Sequence, residues 1–191
     1  MMNRSPILAA AMLACSGVVG AQTTSDGLGQ LQIVGQAPSA CIVRGPLEST
    51  TATNATYLPK GSSGAEIRIT EMVDLRTARG RAATIDLAIG VVCNSPHHMM
   101  LHSLNGGLLR DGAGPRTTRQ GGFTEFIPYR VAANWLGRNV GSSSDGAAPL
   151  AIHTRTGGAG QLSLSISVPG GAPLLAGTYR DSVVVEFSAA E

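Results

Sequence analysis

The sequence predicts an all-β protein, and three alternating runs carry that prediction. In one, Tyr179, Asp181, Val183, Val185 and Phe187 fall on one face and Arg180, Ser182, Val184, Glu186 and Ser188 on the other. In another, Ile85, Leu87, Ile89, Val91 and Cys93 share a face within Ala83 to Asn94. In the third, Leu162, Leu164, Ile166 and Val168 alternate with Ser163, Ser165 and Ser167. Apolar residues at every second position mark strands that bury one face. No amphipathic helical pattern appears beyond the N-terminal segment, and Gly, Ser and Thr dominate between the runs.

Taken in order, Gly29 to Gly35 is a short extended segment with Leu31, Ile33 and Gly35 on one side. Ala40 to Val43 reads as the first body strand, and Ala65 to Met72 alternates weakly, with Ile67 and Ile69 on one face. Ala83 to Asn94 is the strongest central strand. Met99 to Leu104 follows a turn at Ser95-Pro96, and Gly106 to Gly122 reads as a polar loop. Phe126 to Val131 is a further strand, with Trp135 after it. The Gly/Ser-rich run Gly137 to Pro149 reads as a mobile loop, and Gly157 to Gly160 as a turn. Pro169 to Pro173 then turns the chain toward the final strand, with Gly177 supplying the last bend. Six or seven body strands with one apolar face each match the number in an immunoglobulin-like sandwich. Only Ala189, Ala190 and Glu191 follow the final strand, so a closing strand is expected to come from another chain. An apolar sheet edge invites such pairing.

Residues 1–21 read as a signal peptide. Arg4 supplies the positive n-region, Ile7 to Ala14 the apolar stretch and Val19-Gly20-Ala21 the small-residue cleavage site. The stretch is too short to span a bilayer. Met12-Leu13-Ala14-Cys15 loosely resembles a lipobox, the alternative reading, with a poor first position. Without Arg4, 13 basic residues face 12 acidic ones. That balance argues against a nucleic-acid binder.

Export decides how the cysteines read. Cys15 leaves with the signal peptide, and Cys41 and Cys93 remain as an even pair in an oxidising compartment, where a disulfide is the default. A catalytic Cys with a His partner is the lesser alternative. Pro96 to His102 carries three of the four histidines, and His with Met could hold copper. Alternation places His98, Met100 and His102 on one face and Met99 and Leu101 on the other, with His97 opposite His98, so an ordinary strand start is the expectation. No metal or cofactor is assigned. His153 has no acidic neighbour in sequence, and Gly141 to Gly146 is no nucleophile elbow, so no catalytic residue is assigned. Gly157-Gly158-Ala159-Gly160 lacks the Lys-Ser/Thr of a phosphate loop. Asn54-Ala55-Thr56 fits the glycosylation pattern, a match short enough to arise by chance. Asp181, near the start of the last strand, suits either a surface rim or a buried hydrogen-bonded role.

Five segments together resemble the spore coat protein U domain, a family that includes pilin subunits of archaic chaperone–usher pili. They are the N-terminal alternating segment, Ser39 to Val43, Val91 to Asn94, Ile127 to Val131, and Ala176 to Val185. The closing Gly177-Thr178-Tyr179-Arg180-Asp181 followed by alternating Val is the most specific piece, and the cysteine pair followed by Asn94 is the second. The likeness is loose through 45–82 and 105–160. His153-Thr154-Arg155 departs from a Tyr-Gly-type segment frequent in the family, leaving open whether the subunit is major or minor.

The resemblance implies an incomplete immunoglobulin-like β-sandwich completed by a donor strand, first from a periplasmic chaperone and then, at an outer-membrane usher, from the neighbouring pilin subunit. Residues 22–37 are then the donor extension and 38–191 the pilin domain. Leu31, Ile33 and Gly35 would form the donor face, with Ala37 as a further position. Tyr179, Val183, Val185 and Phe187 would line the acceptor groove, along the final strand and the first body strand. The expected function is a non-enzymatic pilus subunit at the cell surface, serving adhesion or biofilm formation. Two alternatives remain: a self-contained secreted binding module recognising a ligand through loop 105–122 or 137–160, and a spore-coat structural protein. N-terminal sequencing of the exported protein should give a start near Gln22; a lipid-modified start at Cys15 would replace the signal-peptide reading with the lipoprotein one.

Overall fold

The computed structural model describes residues 32–61, 64–114 and 119–190, with the side chains of 45–48 and 119–120 left undescribed. The chain divides after Gln36, and the body below is Ala37 onward. Among the described residues the body is all β, in antiparallel sheets, with no helix.

In chain order the strands are β1 (Cys41–Thr53), β2 (Ala55–Lys60), β3 (Gly64–Ile69), β4 (Val73–Asp74), β5 (Arg79–Gly80), β6 (Ala83–Cys93), β7 (His97–Ser103) and β8 (Leu108–Arg110). Then come β9 (Arg119–Gln120), β10 (Phe123–Thr124), β11 (Phe126–Ile127), β12 (Arg130–Trp135), β13 (Arg138–Ser143) and β14 (Leu150–Thr154). The last three are β15 (Gly158–Val168), β16 (Tyr179–Arg180) and β17 (Val183–Ala189). A five-stranded sheet runs β1-β6-β15-β12-β13, and a three-stranded one β14-β7-β17. A smaller sheet, β11-β8-β16, and three two-stranded pairs, β2-β3, β4-β5 and β9-β10, complete the set.

The centre is the pairing of β6 with β15 over eleven consecutive residues, from Ala83↔Val168 to Cys93↔Gly158. On β6 every second residue from Ala83 to Cys93 is buried, the alternation the sequence predicts. Met99 and Leu101 of β7 and Ile152 of β14 are buried in the same cluster as this inner face, so both main sheets contribute to one core. Trp135 and His97 are fully buried within it. The Trp135 indole N–H donates to His97 Nε2 at 2.8 Å, and His97 Nδ1 lies 2.9 Å from the Ser95 carbonyl. Both ring nitrogens therefore have partners, as a buried histidine requires.

Several expected elements take a different form. The first body strand continues to Thr53, kept in register by irregularities between Arg44 and Glu48 and between Ser49 and Thr51 that break the simple alternation. The polar loop after Gly106 contains β8, and the Phe126 to Val131 strand is two strands. Pro128 cannot donate to a ladder, and around it the chain leaves β8 and joins β15. The Gly/Ser-rich run from 137 is no loop at its start: Arg138–Ser143 pairs with β12 across a two-residue turn. Leu136 and Gly137 both have positive φ, 49° and 77°, the type I′ geometry of tight hairpins. The expected turn at Gly157 to Gly160 gives way to the start of β15. A Cβ on Gly158 would collide with Leu136, so glycine here permits close packing within a strand.

Cys41 and Cys93 sit opposite each other in the β1–β6 ladder and form a disulfide with Cα atoms 4.1 Å apart. Asn94 extends the clasp: its side-chain oxygen accepts from the Ala40 N–H at 2.7 Å, and its amide donates to the Pro38 carbonyl at 2.8 Å. The bridge spans 52 residues of sequence. On the chain-entropy account a loop of that size stabilises by about 4 kcal/mol. Cys93→Ser should lower the denaturation midpoint accordingly and leave Cys41 reactive toward a thiol reagent; an unchanged midpoint would show that the ladder holds β1 without the bond.

Candidate functional site

A groove of about 1100 Å³, lined by apolar and polar side chains, opens in the body. Ile85, Leu87 and Ile89 of β6 and Leu164 and Ile166 of β15 floor it. Val183, Val185 and Phe187 of β17 form one wall, and Ile67 and Ile69 of β3 another. The four residues assigned from the sequence, Tyr179, Val183, Val185 and Phe187, all line it, as does Val43 of β1. The contribution of β3 is not legible in the sequence, because its alternation is weak and its wall exists only where the β2–β3 hairpin folds over.

β17 pairs with β7 on one side and is the edge of its sheet. Its residues are half-buried on both faces except Glu186, which is exposed. At one end Phe187 packs edge-on against Trp135, with centroids 5.5 Å apart. At the other end Asp181 fixes the strand's entry. Its carboxylate accepts from the Asn105 N–H at 2.9 Å, from the Tyr129 hydroxyl at 2.7 Å and from the Ser103 hydroxyl. The rim role and the buried role considered for Asp181 thus resolve in favour of a satisfied, part-buried carboxylate. Tyr179 donates its hydroxyl to the carbonyls of Leu175 and Thr124 at 2.8 and 2.9 Å, tying β16 to the neighbouring loops. Gly177, with φ of 151°, precedes it where a Cβ would press on the Arg110 side chain. Arg110 in turn pairs with the buried Glu125.

Of the donor-face residues, Leu31 lies outside the described residues. Ile33 is 89% exposed, and Gly35 and Ala37 are also exposed.

The remaining polar features are mostly structural. Ser144 accepts from the Tyr129 N–H at 2.9 Å and donates to the Gly106 carbonyl at 3.0 Å, so the serine-rich stretch closes a loop here. Asn54, at positive φ, donates its amide to the carbonyls of Glu71 and Ala82 and accepts from the Glu71 N–H at 2.8 Å. That side chain braces the β1–β2 corner, a role the glycosylation pattern conceals. Cys41, Cys93 and His97 cluster closely enough to suggest a metal site. The sulfurs are bonded to each other and both imidazole nitrogens have partners, so the cluster offers no thiolate ligand. His153, isolated in sequence, stands beside His98 across the β7–β14 ladder.

No protein-family model matches this chain, and no curated protein matches it. The groove therefore has to be read from its own chemistry.

Burial, and next the hydrogen bond to the Asp181 carboxylate, raise the Tyr129 phenol above its ordinary value; burial also raises Tyr179. In the unfolded chain both phenols ionise near pH ~10. A raised folded value means the stabilisation is intact below that pH and is lost as pH rises through the folded values. Tyr129→Phe should cost about 1.5–3 kcal/mol at pH 7, the worth of a hydrogen bond to a charged group. It should also flatten the fall in stability above pH ~10. Urea midpoints at pH 7 and in that alkaline range measure both, and an unchanged alkaline slope would count against the Tyr129–Asp181 contact.

Proposed function

We propose that this protein is a structural subunit of a surface fibre, an incomplete immunoglobulin-like β-sandwich whose groove receives a donor strand from a chaperone and then from a neighbouring subunit. The observation that carries the reading is the groove beside β17. Its floor belongs to the core, its lining includes Val183, Val185 and Phe187 of β17 and Ile67 and Ile69 of β3, and one bordering strand has a backbone edge not paired within its sheet. An extended segment laid there would gain ladder hydrogen bonds from that edge and pockets for every second side chain. Each large apolar side chain so buried contributes about 1.5–3 kcal/mol. β17 is seven residues long, so a matching strand presents three or four such side chains to the floor. The likeness to the spore coat protein U domain supports the same reading, since its segments include the Cys41–Cys93 clasp and the Gly177 to Asp181 entry to β17.

On this reading the protein is exported, is handled by a periplasmic chaperone and an outer-membrane usher, polymerises with like subunits, and performs no catalysis. Residues 22–37 act as the donor, with Leu31, Ile33 and Gly35 toward the neighbour's groove.

Side chains alternate along a donor strand, so Ile33→Asp should block fibre growth from purified chaperone–subunit complexes, whereas Gln32→Asp should assemble nearly as wild type. An unpartnered buried carboxylate costs several kcal/mol. Equal assembly by the two variants would defeat the register. A wild-type chain that purifies as a stable monomer and never assembles would favour a self-contained binding module instead.

A further inference from the structure

We propose that the outer face of the sheet β14-β7-β17 carries a copper(II) site whose two protein ligands are His98 and His153. The two residues are direct cross-strand partners in the β7–β14 ladder. On β7 the alternation buries His97, Met99 and Leu101 and turns His98, Met100 and His102 outward; on β14 it buries Ile152 and Thr154 and leaves His153 exposed. The imidazoles meet edge to face with centroids 4.4 Å apart, and their Nδ1 atoms are in direct contact. Two neutral imidazoles can share only one proton along that contact, whereas a cation can accept a lone pair from both. Metal–nitrogen bonds of about 2.0 Å at tetrahedral or square angles hold two ligand nitrogens roughly 3 Å apart, a span reached by a small rotation of either ring.

The surroundings select the cation. In the next row Met100 lies between Ala151 and Glu186, so a thioether and an exposed carboxylate stand one step along the face from the imidazole pair. Imidazole with thioether nearby is a borderline-to-soft set, and among divalent ions such sites prefer copper over nickel and zinc. The face points away from the groove, whose lining on β17 is Val183, Val185 and Phe187. Bound copper would clip the edge strand β14 to β7, raising the melting temperature by mass action. Alternation in the sequence already sets His97 on the face opposite His98 and His102; the fold buries His97 and brings His153 beside His98.

The test titrates copper(II) chloride into the full exported chain, alone or as its chaperone complex, with the same form used for every variant. One copper should bind per chain, with an electron paramagnetic resonance spectrum showing coupling to imidazole nitrogen and a higher melting temperature. His98→Gln and His153→Gln should each weaken binding by at least the ~10-fold that loss of a mere outer-shell partner costs. Both substitutions lie on the outer face, and circular dichroism without copper checks that the fold is kept. His102→Gln should bind as wild type. Weakening by His98→Gln and His102→Gln with undiminished binding by His153→Gln would assign the copper to the β7 segment and overturn the cross-strand site, and equal weakening by all three variants would overturn the assignment to two ligands.

Discussion

The pairing of β6 with β15 is the constraint on which the rest depends. Eleven consecutive residue pairs place two strictly alternating strands side by side, and their inward faces coincide because antiparallel partners share sidedness. A slip of one residue would turn Ile85, Leu87 and Ile89 to solvent together, so register and burial enforce each other. Everything else attaches to this slab. The disulfide fastens β1 to one side, β12 and β13 extend the other, and β7, β14 and β17 contribute to the core it floors.

The same slab explains why the groove persists. Its floor is held by the central ladder and does not need the groove to be filled. Its wall on β17 is held at both ends by interactions independent of any occupant: Phe187 against Trp135 at one, Asp181 with Tyr129, Ser103 and Asn105 at the other. A cleft with fixed walls is preorganised, so an incoming strand would pay little beyond its own ordering. Along β17 the side chains of Val183, Val185 and Phe187 face the groove, while Glu186 between the last two faces outward.

That division is what allows two proposals on one sheet. The inner face of β17 serves the strand-acceptor reading, and the outer faces of β7 and β14 carry the histidine pair. Both use period-two alternation. In the first it presents a row of apolar pockets to another chain; in the second it brings two ligand side chains to adjacent positions.

The sequence by itself determined the all-β class, the two long alternating strands β6 and β15, the cysteine pair and the sidedness of His98, Met100 and His102. These follow from local alternation, which burial on one face makes informative, and from the cysteine count. The run from Tyr179 to Ser188, by contrast, divides into β16 and β17, which join different sheets. The tertiary structure alone decided the rest. Arg138–Ser143 forms a strand because Leu136-Gly137 makes a tight turn without the usual Asn-Gly signal, and Gly158, read as a turn, lies in the β15 ladder opposite Cys93, where Leu136 leaves no room for a Cβ. The chain changes sheets around Pro128, which a continuous apolar run disguises. Ile67 and Ile69 become a groove wall, Asp181 becomes a part-buried acceptor, and His153 meets His98, through contacts between residues far apart in sequence. Such contacts depend on which strands become neighbours, and alternation specifies a strand's face without specifying its partner.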